Sequence, residues 1–199
     1  MFSIVAFTQR SVDLFDEENF IGIGSTRKVY RIEDVVVKKH LHELGYMQSV
    51  NEQNIYNDLL AKDLANNIAP ILFVNGKFAV QPFYEALPLQ NGETYDLDWK
   101  ADQRITTDLR QALAEISENL DGFDLKDSGN YGIDSEGKLV LIDYGMTKKL
   151  YEDQWVPLAE AGVLPQIYFE HCQVCGQEKE LRIYGEADRD RRCVACGKE

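Results

Sequence analysis

The apolar positions of the chain fall into short alternating runs near the start and into helical stripes further on. Residues 19–24 and 28–32 read as β-strands separated by Ser25 and Thr26. Glu33-Asp34 reads as a turn, and Val35-Val36-Val37 as a short β-branched strand. Ser49 followed by Glu52 has the spacing of a capping box. The pairs Ile55/Leu59 and Tyr56/Leu60 then give the i, i+4 stripe of a helix beginning there. The run Ile71 to Val74, the pair Asn75-Gly76 and the run Phe78 to Val80 predict a hairpin with a type I′ turn. Residues 89–104 are polar and turn-rich. Leu109, Leu113, Ile116 and Leu120 form one stripe of a second helix, with Thr106 or Thr107 as its cap. A polar loop over 121–130 precedes another hairpin, Tyr131–Ile133 with Leu139–Ile142, and a short helix is expected over about 151–162, limited or kinked by Pro157. Strands, helix, hairpin, helix, loop and hairpin in that order predict an α+β fold in two layers with antiparallel sheets.

The 199 residues suffice for one domain plus a small appendage. The net charge of −13 argues against non-specific binding of nucleic acid or of an anionic membrane by the bulk surface. From residue 171 onward six acidic residues balance six basic ones, so the negative excess belongs to the earlier part. No apolar run approaches the ~20 residues that a bilayer requires. The opening MFSIVAFTQR has no basic segment and only a short apolar stretch, which predicts a chain without a secretory leader, cytoplasmic and with reduced thiols.

Candidate chemistry gathers around a glycine-bearing turn, Ile21-Gly22-Ile23-Gly24, with Val29 behind it. Glycines without side chains let backbone N–H groups approach phosphate oxygens, although a Gly pair in a hairpin also serves simply as a turn. Lys38 ends the β-branched run, with Lys39 beside it. Glu52 on the following helix suits an ion pair with Lys38, or else is the third helical residue of the capping box. Asp143-Tyr144-Gly145 follows the apolar strand Leu139 to Ile142, and Asn130 stands at the mouth of the same hairpin. Two oxygen ligands so placed can converge on Mg²⁺, and Asp124 in the preceding loop can accept a proton from an attacking hydroxyl.

The stretches IGIGSTRKV, VVVK, the helical Glu52, FDLKDSGN and LVLIDYG, in this order over about 20–146, resemble the phosphate-binding loop, lysine, helix glutamate, catalytic loop and metal motif of the protein-kinase-like superfamily. The resemblance implies an ATP- and Mg²⁺-dependent phosphotransferase. Asp124, Lys38 and Glu52 would be catalytic, and Gly22, Gly24, Val29, Lys38, Pro82 and Phe83 would bind nucleotide. Asn130 and Asp143 would hold Mg²⁺. Its acceptor would be a protein hydroxyl, with small-molecule phosphorylation or nucleotidyl transfer as other outcomes of the same site. Arg27 stands where the third loop glycine is usual, the spacing from Asp124 to Asn130 is one residue longer than usual, and Asp127 is an alternative base. Little chain follows Gly145, so most of a peptide-docking helical lobe is missing, as in short kinase-like proteins of bacteriophages. These departures leave open a pseudokinase, or an acidic binding module that docks on and inhibits a host protein. The implied division is a small lobe over about 18–85 and a reduced second lobe over about 86–167, together spanning 1–167, then a module over 168–199.

That last module carries all four cysteines, Cys172, Cys175, Cys193 and Cys196, as C-x2-C-x17-C-x2-C, with Gly176 and Gly197 after each pair. The pattern resembles a zinc ribbon, in which four thiolates close a structural Zn²⁺ site. His171 beside Cys172 is a bystander or a substitute ligand, and His40 and His42 read as surface residues. Arg189, Arg191 and Arg192 could meet phosphate, a weak nucleic-acid contact or an acidic partner. Equally, zinc here replaces a core too small to hold the tail.

Overall fold

A computed structural model describes residues 14–199; the opening stretch read for leader features lies outside them. Five strands form an antiparallel sheet in the order β1-β2-β3-β5-β4: β1 (Phe20–Ile23), β2 (Arg27–Ile32), β3 (Val35–His40), β4 (Phe73–Val74) and β5 (Phe78–Pro82). The β-branched run Val35-Val36-Val37 is buried at the centre of this sheet and carries Lys38 at its end, opposite Val29 on β2 and Ala79 on β5. β6 (Glu85–Ala86), β7 (Tyr131–Ile133) and β8 (Leu139–Leu141) form a second antiparallel sheet, and β9 (Gln166–His171) with β10 (Glu178–Ile183) a two-stranded one. The fold is thus α+β with antiparallel sheets. No helix among the described residues is long and apolar enough to cross a membrane.

Helix α1 (Glu43–Ala61) connects β3 to β4 within the first sheet. It starts seven residues before the capping-box signal, with His42 as cap, its Nδ1 accepting from Leu44 N–H at 3.1 Å. Ser49 and Glu52 are therefore interior helical residues, both fully buried. The early turns lack an apolar stripe because the buried face there is polar, made by Gln48, Ser49 and Glu52. Ile55 and Leu59 continue that face as core, while Leu60 is exposed. These two side chains join Leu109, Leu113 and Ile116 of α2 (Thr107–Asn119) and Tyr131, Leu139 and Leu141 in the largest hydrophobic cluster. Thr106 caps α2, its Oγ1 accepting from Leu109 N–H at 3.1 Å.

Two turns differ from expectation. Neither Asn75 nor Gly76 has positive φ, so the β4–β5 turn is not type I′. The Asn75 Oδ1 instead accepts from Lys77 and Phe78 N–H, at 2.8 and 3.0 Å. The last helical stretch starts earlier than predicted, as α3 (Lys148–Leu150), a π turn (Tyr151–Trp155) and α4 (Val156–Glu160). Thr147 caps it. Pro157 has no N–H to give to the preceding turn. The wider turn, in which Val156 N–H reaches Tyr151 C=O, precedes the proline and lets the helical path continue.

Gly145 shows how tightly the strand end presses on α1: a Cβ there would lie 2.0 Å from the Gln48 carbonyl oxygen. Gly145→Ala should cost about 1–3 kcal/mol or more through overpacking. Gly76→Ala, with nothing within 4 Å of a Cβ, should be neutral or gain up to about 1 kcal/mol. Urea unfolding of the two variants checks both.

Candidate functional site

The close approach of Gly145 to α1 brings Asp143 beside Glu52 and Lys38. Lys38 Nζ is 3.1 Å from Glu52 Oε1 and also donates to the Ile142 carbonyl at 2.8 Å. The alternative role of Glu52 as a capping residue is excluded by its position within α1. Arg27, mentioned in the sequence only as a departure from glycine, supplies a second cation. Its guanidinium is buried, 2.9 Å from Glu52 Oε1 and 2.6 Å from Asp143 Oδ1, with a longer bond of 3.4 Å to Ser49 Oγ. Two acids and two bases thus form one cluster at the junction of the first sheet, α1 and the end of β8.

The cluster lies between two cavities. One, about 510 Å³, is bounded by the β1–β2 turn from Gly24 to Arg27, by Asp124 and Asn130, and by Trp155. The other, about 420 Å³, runs along β3 and β5 to Phe83 and Ala86. Val29, Lys38 and Asp143 border both. Gly24 and Phe83 each border one of them. Gly22 borders neither and faces the cysteine-bearing module, and Pro82 borders neither. In the second cavity the Gln81 amide is buried, and its Oε1 accepts no hydrogen bond from the protein. A polar residue inside the apolar run of β5 was the signal for it.

Asp124 sits in the left-handed region at φ 57°, a conformation that Asp tolerates better than most residues. Asn130 Nδ2 holds that backbone by donating to the Asp124 carbonyl at 2.7 Å, and the Asn130 carbonyl accepts from Ile142 N–H at 2.8 Å. Partial burial, then the neighbouring charges of Asp127, Asp143 and Asp96, pushes the Asp124 carboxyl up to about 6. Asp143 moves the other way. The Arg27 and Lys38 charges outweigh burial and hold its carboxyl below the usual range. Asp127 is engaged elsewhere, accepting from Gly129 N–H at 2.6 Å and Thr94 Oγ1 at 3.2 Å. Phe123, Tyr151 and Trp155 stack along the wall of the larger cavity, at centroid separations of 4.1 and 5.2 Å, and Trp155 Nε1 donates to Ser25 Oγ at 3.2 Å. Sequence reasoning missed this stack because its rings come from two separate segments.

A second candidate centre lies in the tail. The sulfur atoms of Cys172, Cys175, Cys193 and Cys196 lie within 4.8 Å of one another. Four soft donors so close can hold a metal such as zinc. Backbone N–H groups, that of Cys175 foremost and those of Cys193 and Val174 with it, outweigh burial and draw the Cys172 thiol down to about 6, toward the thiolate that binds metal. His171 is exposed and outside the cluster. His40 is not a free surface residue: its Nε2 lies 3.0 Å from Ser49 Oγ, whereas His42 serves as the cap of α1.

No protein-family model matches the chain, and a search of curated proteins finds no match.

Removal of the Arg27 charge leaves the buried Glu52 and the part-exposed Asp143 with one cation. Arg27→Gln should lower stability by about 3 kcal/mol, the scale of a broken buried ion pair. Chemical denaturation at pH 7 reads the loss. A change below about 0.5 kcal/mol would show that the cluster does not hold the fold.

Proposed function

We propose that the chain is an ATP- and Mg²⁺-dependent phosphotransferase acting on protein hydroxyls, built on a reduced protein-kinase-like scaffold. The observation that carries this reading is the buried Lys38–Glu52 pair beside Asp143, facing Asp124 and Asn130 across one cavity. The donor set suits the groups required. Lys38 and Arg27 offer positive charge to phosphates, and the unpartnered Gln81 Oε1 offers an acceptor to a base N–H in the adjoining cavity. Asp143 and the Asn130 amide are the hard oxygen donors that would hold Mg²⁺, which would neutralise phosphate charge.

The remaining work falls to the protein's own groups. Glu52 fixes Lys38, which orients the α- and β-phosphates. The Asp124 carboxylate accepts the proton of the attacking hydroxyl, and its position in the larger cavity favours it over Asp127, which is tied to Gly129 and Thr94. Catalysis is then positioning and charge compensation. The four-cysteine module takes Zn²⁺ as a closed structural site.

One observation favours a second reading. Arg27 already occupies Asp143 Oδ1 at 2.6 Å, so the Arg27, Lys38, Glu52 and Asp143 cluster is charge-balanced without a metal. A pseudokinase that docks on a host protein through its acidic surface would have this property.

Purified full-length protein incubated with labelled ATP, Mg²⁺ and a cell lysate decides between them. Transfer should occur, and Asp143→Asn should abolish it while circular dichroism remains native. ATP-induced thermal stabilisation without transfer supports the second reading instead. If Asp124 is the base, it works only when ionised. The rate should rise with pH to a plateau above about 6, falling about tenfold per unit below it. Asp124→Asn should lose about 100-fold or more. A flat profile between pH 5 and 7 would remove Asp124 from that role.

A further inference from the structure

The four-cysteine module touches the candidate nucleotide site at a particular point. Arg182 on β10 is buried, and its Nη1 donates to the Gly24 carbonyl at 2.6 Å. Gly24 is the glycine that begins the turn bordering the larger cavity, closed by Gly24 N–H donating to the Arg27 carbonyl at 2.9 Å. A second grip lies four residues along the same hairpin. Lys28, buried on β2, pairs with Glu199 Oε1 at 2.6 Å. The Tyr184 hydroxyl links the two grips, 3.3 Å from Arg182 Nη2 and donating to the Glu199 carbonyl at 3.0 Å.

Both grips are carried by the cysteine pairs. Arg182 lies between Leu181 and Ile183, which with Cys172 and Cys193 form the module's small core, and Leu181 bridges directly to Cys193. Glu199 follows the second pair, Cys193 and Cys196, by three residues. A core of two aliphatic side chains and two cysteines buries too little apolar surface to hold β10 and the tail in register alone. The metal that the four thiols can take would supply that rigidity.

We propose that Arg182 is a positioning residue for the β1–β2 turn, and that metal loading of the four-cysteine module sets the turn's conformation. The module is a strap across the nucleotide-binding turn. A free glycine-bearing turn samples many conformations, and each must be surrendered when a ligand binds. An arginine held by a rigid module meets that entropy in advance. The metal-dependent part of this inference stands on the geometry alone, and only its kinetic consequence rests on the phosphotransfer reading.

The test uses full-length, zinc-loaded protein and amide hydrogen exchange over residues 22–28. Arg182→Met should speed exchange in this segment about tenfold, within the range of ordinary coupling energies, with zinc content unchanged. Arg182→Lys should recover part of the protection, because an ammonium can still donate to the Gly24 carbonyl. Glu199→Gln, at an exposed side chain, should give a smaller change in the same segment and serves if Arg182→Met does not fold. Chelation of the metal from the unaltered protein should reproduce the effect while α2 and β8 stay protected. Where transfer is detected, Arg182→Met should raise the KM for ATP about tenfold with kcat changed less than threefold. Unchanged exchange over 22–28 in these variants and after chelation would overturn the strap. Altered exchange without any transfer in any protein would leave it standing and sink the phosphotransfer reading.

Discussion

The arrangement depends on a group of four charges, three buried and one part-exposed: Arg27 and Lys38 from neighbouring strands and Glu52 from α1 are buried, and Asp143 from the end of β8 keeps part of its side chain in solvent. Burying Arg27, Lys38 or Glu52 alone would cost several kcal/mol, because the interior solvates charge poorly. Together they compensate, and they do so only if the first sheet, the helix and the second sheet meet in one geometry. The cluster is thus a constraint on how these three pieces assemble. It explains the polar side chains on the buried face at the start of α1, an odd feature for a helix face turned to the interior. It also explains why Gly145 must be glycine, since the strand end has to touch the Gln48 backbone for Asp143 to reach Arg27.

The same cluster makes the cleft electrically particular. Asp143 is held ionised by two cations, whereas Asp124, one cavity wall away, is pushed toward protonation by burial and by acidic neighbours. Two carboxyls of one type are driven apart by their surroundings. Arg27 adds a cation that glycine could not offer, and it joins the glycine-bearing turn to the acid at the opposite wall. Several contacts hold the turn: Arg27 reaches Asp143, Thr26 Oγ1 donates to Gln48 on α1, Trp155 reaches Ser25, and Arg182 comes from the cysteine module.

Much of this was legible in the chain. The β-branched run ending in Lys38, the Thr106 cap and the stripe of α2, the hairpin of β7 and β8, and the paired cysteines all follow local rules of period, capping and spacing. These signals are short-range and survive in a single sequence. The start of α1 was hidden because Gln48, Ser49 and Glu52 are buried for their charge and hydrogen bonds, which breaks the apolar period. The β4–β5 turn misled because Asn75 closes it through its side chain and not through positive φ.

The sequence by itself determined most of the elements, the α+β class and the two paired cysteines, because each of these depends mainly on residues a few positions apart. It also nominated Lys38, Glu52, Asp124, Asn130 and Asp143 by their order. Only the tertiary structure decided which charges pair. Arg27 meets Asp143 across 116 residues and Arg182 meets Gly24 across 158. Such contacts exist only once chain closure and packing have brought distant segments together, and no local pattern encodes them.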